Sequence, residues 1–490
     1  MKKNHFITCS KLFGLALMGA TVLGFASCAE DGYDDDERFE LDTRNAKMVT
    51  PAADVITITS NATGDKQTIQ WPIVKGAGGF EMKLEDVTDP SALKTIYEGI
   101  VDGCSKLLPR EEDTKYKLTL RALGNKEYGN SDADNTTVKE FSTFIDSYDD
   151  IPDGTDLSAY FETNGFPTDK AGEEICYDLV AGGTYTLSKT IEFGSNKVLL
   201  RGLSKTNRAK LTVADGAYFS VTAGFRVRAM QIDMSATGKA LITGSSEPDE
   251  SIKGKTGTGD YYNIEDPVAI QNCVINGVNG NLVYDGDKKY CFKDLVIDNC
   301  NVHLTSSSTT NISGNAIIYC KTGFANDITV RNSTFWNTGD SDAKYFIQYN
   351  NGGRSTRAGY TTNSITHTNN TFYNVAKAGQ WFNCNGFTGQ KSSTYFITGN
   401  IFVDCGNKQV ARRILAGVTP GSGRIGDCLF NNNSYWFEGA DASESESAYD
   451  NGTILKSDPA FADAAGGNFT PSGSEQVSKQ TGDPRWYETN

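Results

Sequence analysis

The chain has 490 residues, of which 38% are hydrophobic and 22% charged, and 46 basic against 61 acidic side chains leave a net charge of −15. Such a length holds more than one domain, each with room for its own core. The acidic balance excludes nucleic acid as a partner, because phosphate backbones are bound through a basic face.

Residues 1–27 read as a secretory leader: Lys2 and Lys3 precede an apolar run from Leu12 to Phe25 that is too short to span a membrane. Phe25-Ala26-Ser27-Cys28 resembles a bacterial lipobox, with Phe25 in place of the usual Leu, and the resemblance implies lipidation of Cys28. The acidic stretch Ala29 to Glu37 makes residues 28–47 a solvated tether. It also resembles the export signal of Bacteroidetes lipoproteins, which implies an outer-membrane lipoprotein facing the cell exterior. Of eleven Cys residues, nine remain once Cys9 and Cys28 are set aside, an odd number whose spacing matches no zinc motif. Cys273, Cys300 and Cys428 are expected at one repeat position as small buried apolar residues, and a disulfide among the nine stays open.

Residues 48–145 hold short alternating strands around Val55-Ile56-Thr57-Ile58, Thr68-Ile69-Gln70-Trp71, Gly79 to Leu84, Lys115 to Ala122 and Val138 to Thr143, separated by Gly, Asp and Asn turns. This spacing predicts a β-sandwich. The Trp71, Tyr116 and Phe141 strands resemble a fibronectin type III domain, which implies a spacer without chemistry.

After a turn-rich hinge at Asp149 to Gly154, an echo recurs: Gln271-Asn272-Cys273-Val274-Ile275, Asp298-Asn299-Cys300-Asn301-Val302, Arg331-Asn332-Ser333-Thr334-Phe335, Thr368-Asn369-Asn370-Thr371-Phe372, Thr398-Gly399-Asn400-Ile401-Phe402 and Gly426-Asp427-Cys428-Leu429-Phe430. An unequal repeat of about thirty residues with an Asn bend predicts the coils of a solenoid. One apolar residue per coil, Ile275, Val302, Phe335, Phe372, Phe402 and Phe430, would stack inside, while the Asn adopts a left-handed bend and bonds its neighbours. The text from Tyr177 to Tyr185 and from Lys197 to Gly202 resembles the opening coils of pectate-lyase-like β-helices, and Asp458-Pro459-Ala460-Phe461 with Asn468-Phe469 resembles their closing coil. The expected fold is therefore all-β: a fibronectin type III-like sandwich followed by a right-handed parallel β-helix over residues 151–490.

Between Lys344 and Arg424 the charge reverses, with nine bases (Lys344, Arg354, Arg357, Lys377, Lys391, Lys408, Arg412, Arg413 and Arg424) against the single acid Asp404. A local reversal focuses an anionic ligand. The strands of these coils run Ala316 to Lys321, Tyr345 to Asn350 and Gln380 to Asn385. With Ile318, Cys320, Ile347, Phe382 and Cys384 inward, period two turns out Ile317, Tyr319 and Lys321, then Phe346, Gln348 and Asn350, then Trp381, Asn383 and Asn385. Aromatic faces beside amides suit sugars. A register shifted by one would bury Phe346 and Trp381 instead. The longest repeat step encloses Arg354 and Arg357, whose guanidinium forks match uronate carboxylates.

The pectate-lyase-like resemblance also implies a lyase. The outward strand positions carry no acid for calcium, and Asp233, Asp285, Asp294 and Asp298 are dispersed. The Gly-His-Gly motif of polygalacturonases on this fold is missing and no Asp pair occurs within the repeats, while His303 and His367 stand alone. No cofactor is expected, with calcium reserved for the lyase reading. A metal-independent lyase would use Arg354 or Arg357 to neutralise the carboxylate, and Lys321, Lys377 or Arg413 as a base of depressed pKa. The preferred reading is a surface lipoprotein, resembling those of polysaccharide-utilisation systems, that binds a pectin-like acidic polysaccharide without turnover. An outer-membrane glycan transporter is the partner that resemblance implies. A polysaccharide lyase and a structural or adhesive protein are the alternatives.

Overall fold

The computed structural model describes residues 43–60, 66–90, 92–254, 260–305, 316–339, 343–350, 355–384 and 386–487. The chain separates into two compact units, Met1–Ile145 and Asp146–Asn490.

Among the described residues the first unit has seven antiparallel strands: β1 (Thr57–Ser60), β2 (Lys66–Gln70), β3 (Ala77–Asp86), β4 (Lys94–Val101), β5 (Ser105–Pro109), β6 (Lys115–Gly124) and β7 (Thr137–Ser142). They form two sheets, β1-β2-β5 and β4-β3-β6-β7, the arrangement of a fibronectin type III-like sandwich. Strict alternation along Tyr116, Leu118, Leu120 and Ala122 sends one face of β6 inward, onto Trp71, Phe80, Met82 and Leu84. The Tyr116 hydroxyl accepts the Glu111 amide at 2.7 Å, a tyrosine corner at the entry to β6.

The second unit is a parallel β-helix with an eleven-stranded, a ten-stranded and a seven-stranded sheet. A full coil visits the three in turn, as in Phe324–Arg331, Thr334–Asn337 and Tyr345–Gln348, and these strands pair in parallel with their counterparts one coil away. The bend between the first two sheets is where the repeated Asn stands. Asn272, Asn299, Asn332, Asn369 and Asn432 have φ of 54°, 52°, 50°, 54° and 52°, and Gly399 takes the same turn at 67°. Asn is tolerated there because its short polar side chain supports the left-handed conformation. The interior ladder of Ile275, Val302, Phe335, Phe372 and Phe402 runs in register along the ten-stranded sheet, with Phe335, Phe372 and Phe402 at centroid spacings of 5.5 and 5.2 Å.

The sixth echo is a correction. Phe430 pairs with Ile397 on the eleven-stranded sheet, and the residue above Phe402 is Tyr435, stacked at 5.4 Å. The true bend lies five residues later than the Gly426-to-Phe430 match suggests, at Asn432. For the same reason Cys428 does not share the position of Cys273 and Cys300: it pairs with Tyr395 and is only half-buried.

A capping helix closes the first coil. Asp156 accepts the Ser158 amide at 3.0 Å to start the helix Leu157–Asn164, whose Phe161 sits edge-on to Tyr177 and Phe193. The nine Cys residues beyond Cys28 are all free thiols.

Candidate functional site

The seven-stranded sheet ends at the basic stretch. Its last three strands, Ala316–Tyr319, Tyr345–Gln348 and Gln380–Asn383, are stacked in register, with Ile318, Ile347 and Phe382 on one rung and Tyr319, Gln348 and Asn383 on the next. The second of these rungs points out. Tyr284 extends it by one coil and stacks on Tyr319 with centroids 5.5 Å apart and planes 9° from parallel. The outer face therefore presents two phenol rings followed by two amides, at the roughly 4.8 Å repeat of neighbouring strands.

Phe346 and Trp381 are corrections: both are fully buried, as is Ile317. Phe346 stacks on Trp381 at 4.5 Å and meets Phe335 and Phe372 from the ten-stranded sheet edge-on, while the adjacent Phe382 approaches Tyr349 and His367. Two consecutive residues face inward because the strand crosses a corner between two interior surfaces, so period two fails there. Lys321 is exposed but held by Asp287 at 2.8 Å, and Asn350 donates to the Lys321 carbonyl at 3.1 Å. The bond to Asp287 raises the Lys321 pKa, the opposite of what a lyase base needs. Arg357, exposed on the short helix Ser355–Ala358, stands beside the Tyr261 hydroxyl rather than the amide rung. Its loop folds toward the eleven-stranded sheet, where Tyr360 donates to Glu265 at 2.7 Å and Asn263 to the Ala358 carbonyl at 2.8 Å. Arg354, Asn385 and Cys28 lie outside the described residues.

At the start of the same strands lies a cleft of about 160 Å³ lined by Lys344, Ala378, Gly379, Gln380, Asn407, Gln409 and Arg413. The next coil has no strand on the seven-stranded sheet. Three successive left-handed residues, Gly406, Asn407 and Lys408, at φ of 56°, 49° and 61°, lead instead into the helix Val410–Ile414, which brings Arg413 to the strand Gln380–Asn383. Left-handed non-glycine residues are costly, and such runs gather at functional sites. Gly379 has no side chain because there is no space for one: a Cβ would stand 2.1 Å from the Lys344 carbonyl oxygen.

Among the described residues, neither Lys344 nor Arg413 forms an ion pair, and Arg413 Nε is buried without a partner. Their neighbours are differently placed, since Lys377 is tied to Asp404 at 3.0 Å and Arg412 to Gln409 at 3.1 Å. The cleft thus carries two uncompensated cations beside the three amides of Gln380, Asn407 and Gln409, a donor set for an oxyanion. The charge count along the chain pointed to this stretch, but only the fold selects Lys344 and Arg413 from its nine bases. Gln380 links the two surfaces, lining the cleft three residues before Asn383 on the amide rung.

The carboxylates named from sequence stay apart. Asp285 is fully buried and accepts the Thr322 and Gly323 amides at 2.7 Å each, Asp298 pairs with Arg331 at 2.8 Å, Asp294 approaches Lys293 at 3.6 Å, and Asp233 accepts the Ser235 amide at 2.9 Å. Among the described residues no three His, Cys, Asp or Glu side chains converge as candidate metal ligands. His303 stacks on Trp336 at 3.6 Å and meets Thr338 at 2.7 Å, and His367 is wholly buried, so neither reaches the cleft.

Three families, each described as a domain of unknown function, match the chain over residues 1–182, 183–338 and 365–486. No curated protein matches it. Among solved structures, the pectate lyase PelI from Erwinia chrysanthemi, in complex with tetragalacturonic acid, is 10% identical over 65% of this chain and 84% of its own, with a TM-score of 0.22. The pectate lyase Pel3 from Pectobacterium carotovorum is 11% identical over 61% and 82%, at 0.18. A structure of FN3tt mut is 20% identical over 20% of this chain and 97% of its own, at 0.15.

Proposed function

We propose that the protein captures an acidic, uronate-containing polysaccharide of the pectin type on the outer surface of a cell, without cleaving it. The observation that carries this reading is the cleft, where Lys344 and Arg413 stand without counter-ions beside Gln380, Asn407 and Gln409. A carboxylate would be held by the cations and amides. The neighbouring sugars would lie along Asn383, Gln348 and the stacked pair Tyr319 and Tyr284, whose amides bond hydroxyls and whose rings cover apolar sugar faces. The leader and the Phe25-to-Cys28 motif support a lipid anchor at Cys28 in the outer membrane, facing outward, and the acidic stretch supports a tether. A glycan transporter in that membrane is the partner such a capture protein would serve.

The test is calorimetric titration of the full chain with oligogalacturonate, alongside neutral galactan, while absorbance from unsaturated uronate ends is followed. Binding of the acidic oligomer alone, with flat absorbance and about ten- to hundredfold weakening in Arg413→Ala, is expected, since a hydrogen bond to a charged group contributes about 1.5–3 kcal/mol. Rising absorbance would make the protein a lyase. Absence of both signals on every acidic glycan tried would leave a structural or adhesive role.

A further inference from the structure

The helix that presents Arg413 is only five residues long, Val410–Ile414, and its own sequence supplies no cap. The cap comes from the following coil. Glu446, at the end of the helix Ser443–Glu446, is fully buried, and its carboxylate accepts the Val410 amide at 2.5 Å and the Ala411 amide at 2.9 Å, with Arg412 N at 3.4 Å. It thereby satisfies the amides that a helix N-terminus leaves open and places negative charge at the positive end of the helix.

A carboxylate is seldom buried without a cation, and no lysine or arginine side chain is paired with Glu446 among the described residues. We propose that Glu446 is the positioning residue of the cleft: it fixes the helix that holds Arg413 against the strand Gln380–Asn383, so glycan affinity depends on a side chain that touches no glycan. This rests on the binding function proposed above.

The groups that face Glu446 are the backbone amides of the arginine-bearing helix, Asp450 one turn further on, and Tyr435 from the strand Ser434–Phe437. Burial pushes the Glu446 carboxyl up to about 8, against the amide bonds, which lower it. As an anion it caps with both oxygens. Once protonated it accepts well with only one, and the helix is held less firmly.

The experiment compares wild type with Glu446→Gln, a same-sized neutral side chain, in oligogalacturonate titrations from pH 6.5 to 9.5. Wild type should tighten about fivefold as pH rises through 8, the range of a lost helix cap. The variant should stay flat at the weaker, low-pH affinity of wild type. Superposed profiles would overturn the proposal, since a carboxyl with only a packing role would give the same pH dependence with or without its proton. Amide exchange at Val410 and Ala411 is read in the same samples: slow in wild type at pH 9.5 and faster in the variant is expected. Should wild type bind no uronate oligomer at any pH, the functional reading falls and the exchange alone decides positioning, with equal protection in both proteins counting against it.

Discussion

Asn400 shows how much one side chain of a repeat supports. It is fully buried, accepts from the Asn370 amide (3.1 Å) and side chain (2.9 Å), and donates to the His367 carbonyl (2.7 Å) and to Asn433 (2.9 Å). Asn433 passes the ladder on to Asp450 at 3.0 Å. Asn400→Ala removes four bonds and leaves buried amides unmet, so about 3–5 kcal/mol of unfolding free energy should be lost, read from denaturant midpoints. A loss below about 1 kcal/mol would mean that water replaces the ladder. His367, beside it, is an aromatic-lined histidine whose burial drives its pKa down to about 4. An unfolded chain takes up the proton near 6.5 while the folded one refuses it until about 4, so its contribution is full above 6.5 and falls by about 3 kcal/mol as pH drops through that window. His367→Phe should remove this dependence. The difference between the two proteins in unfolding free energy, followed from pH 7 to 4, should therefore move toward the variant.

At the scale of elements, the legible parts were those in which one physical demand recurs. The left-handed bend selects Asn or Gly in coil after coil, so Asn272, Asn299, Asn332, Asn369 and Gly399 mark the turn in the sequence itself. The match failed at Gly426 to Phe430 because a Cys followed two residues later by Phe also suits a strand on the eleven-stranded sheet, and Asn431-Asn432-Asn433 holds the true bend. The outward faces of the seven-stranded sheet were half legible. Tyr319, Gln348 and Asn383 point out as period two requires, whereas Phe346 and Trp381 are inside because the strand crosses a corner, a change of direction that composition does not encode. The cleft was not legible, since Asn407, Gln409 and Arg413 come from a left-handed turn and the helix after it, standing where the repeat would place a strand. Its closeness to the sheet is set at Gly379. Gly379→Ala places a methyl 2.1 Å from the Lys344 carbonyl oxygen. The strand must then shift, at about 1–3 kcal/mol of stability, and the cleft should widen. Lower thermal stability together with weaker oligogalacturonate binding is expected, and unchanged values in both would show that the backbone accommodates the methyl elsewhere.

For the whole solenoid the governing fact is that the strands of each coil pair only with those of the coils next to it, so stability accumulates mainly pairwise and the C-terminal coils would open first. The C-terminal segment counters this by running back over successive bends. Gln476 donates to Ser434 at 2.9 Å, the Gly482 amide to the Gly399 carbonyl at 2.7 Å, the Asp483 amide to Thr371 at 3.0 Å, and Arg485 to Asn299 at 3.0 Å. Asp483 is the knot of this strap. It is 1% exposed, takes the Thr334 hydroxyl at 2.8 Å and the Arg485 guanidinium at 2.6 Å, and Trp486 donates to the same Thr334 at 2.8 Å. Asp483→Ala would leave Arg485 and the Thr334 hydroxyl short of an acceptor, at about 2–4 kcal/mol. The strap spans bends from Asn299 to Ser434, so the expected result is more than a lower midpoint. With coils no longer coupled beyond their neighbours, the unfolding transition should broaden, and proteolysis should enter between residues 456 and 487 before the solenoid melts. A sharp, uniformly lowered transition with that segment still protected would show instead that the interior ladder alone couples the coils, and that the strap acts only as a cover for Trp336 and Tyr373.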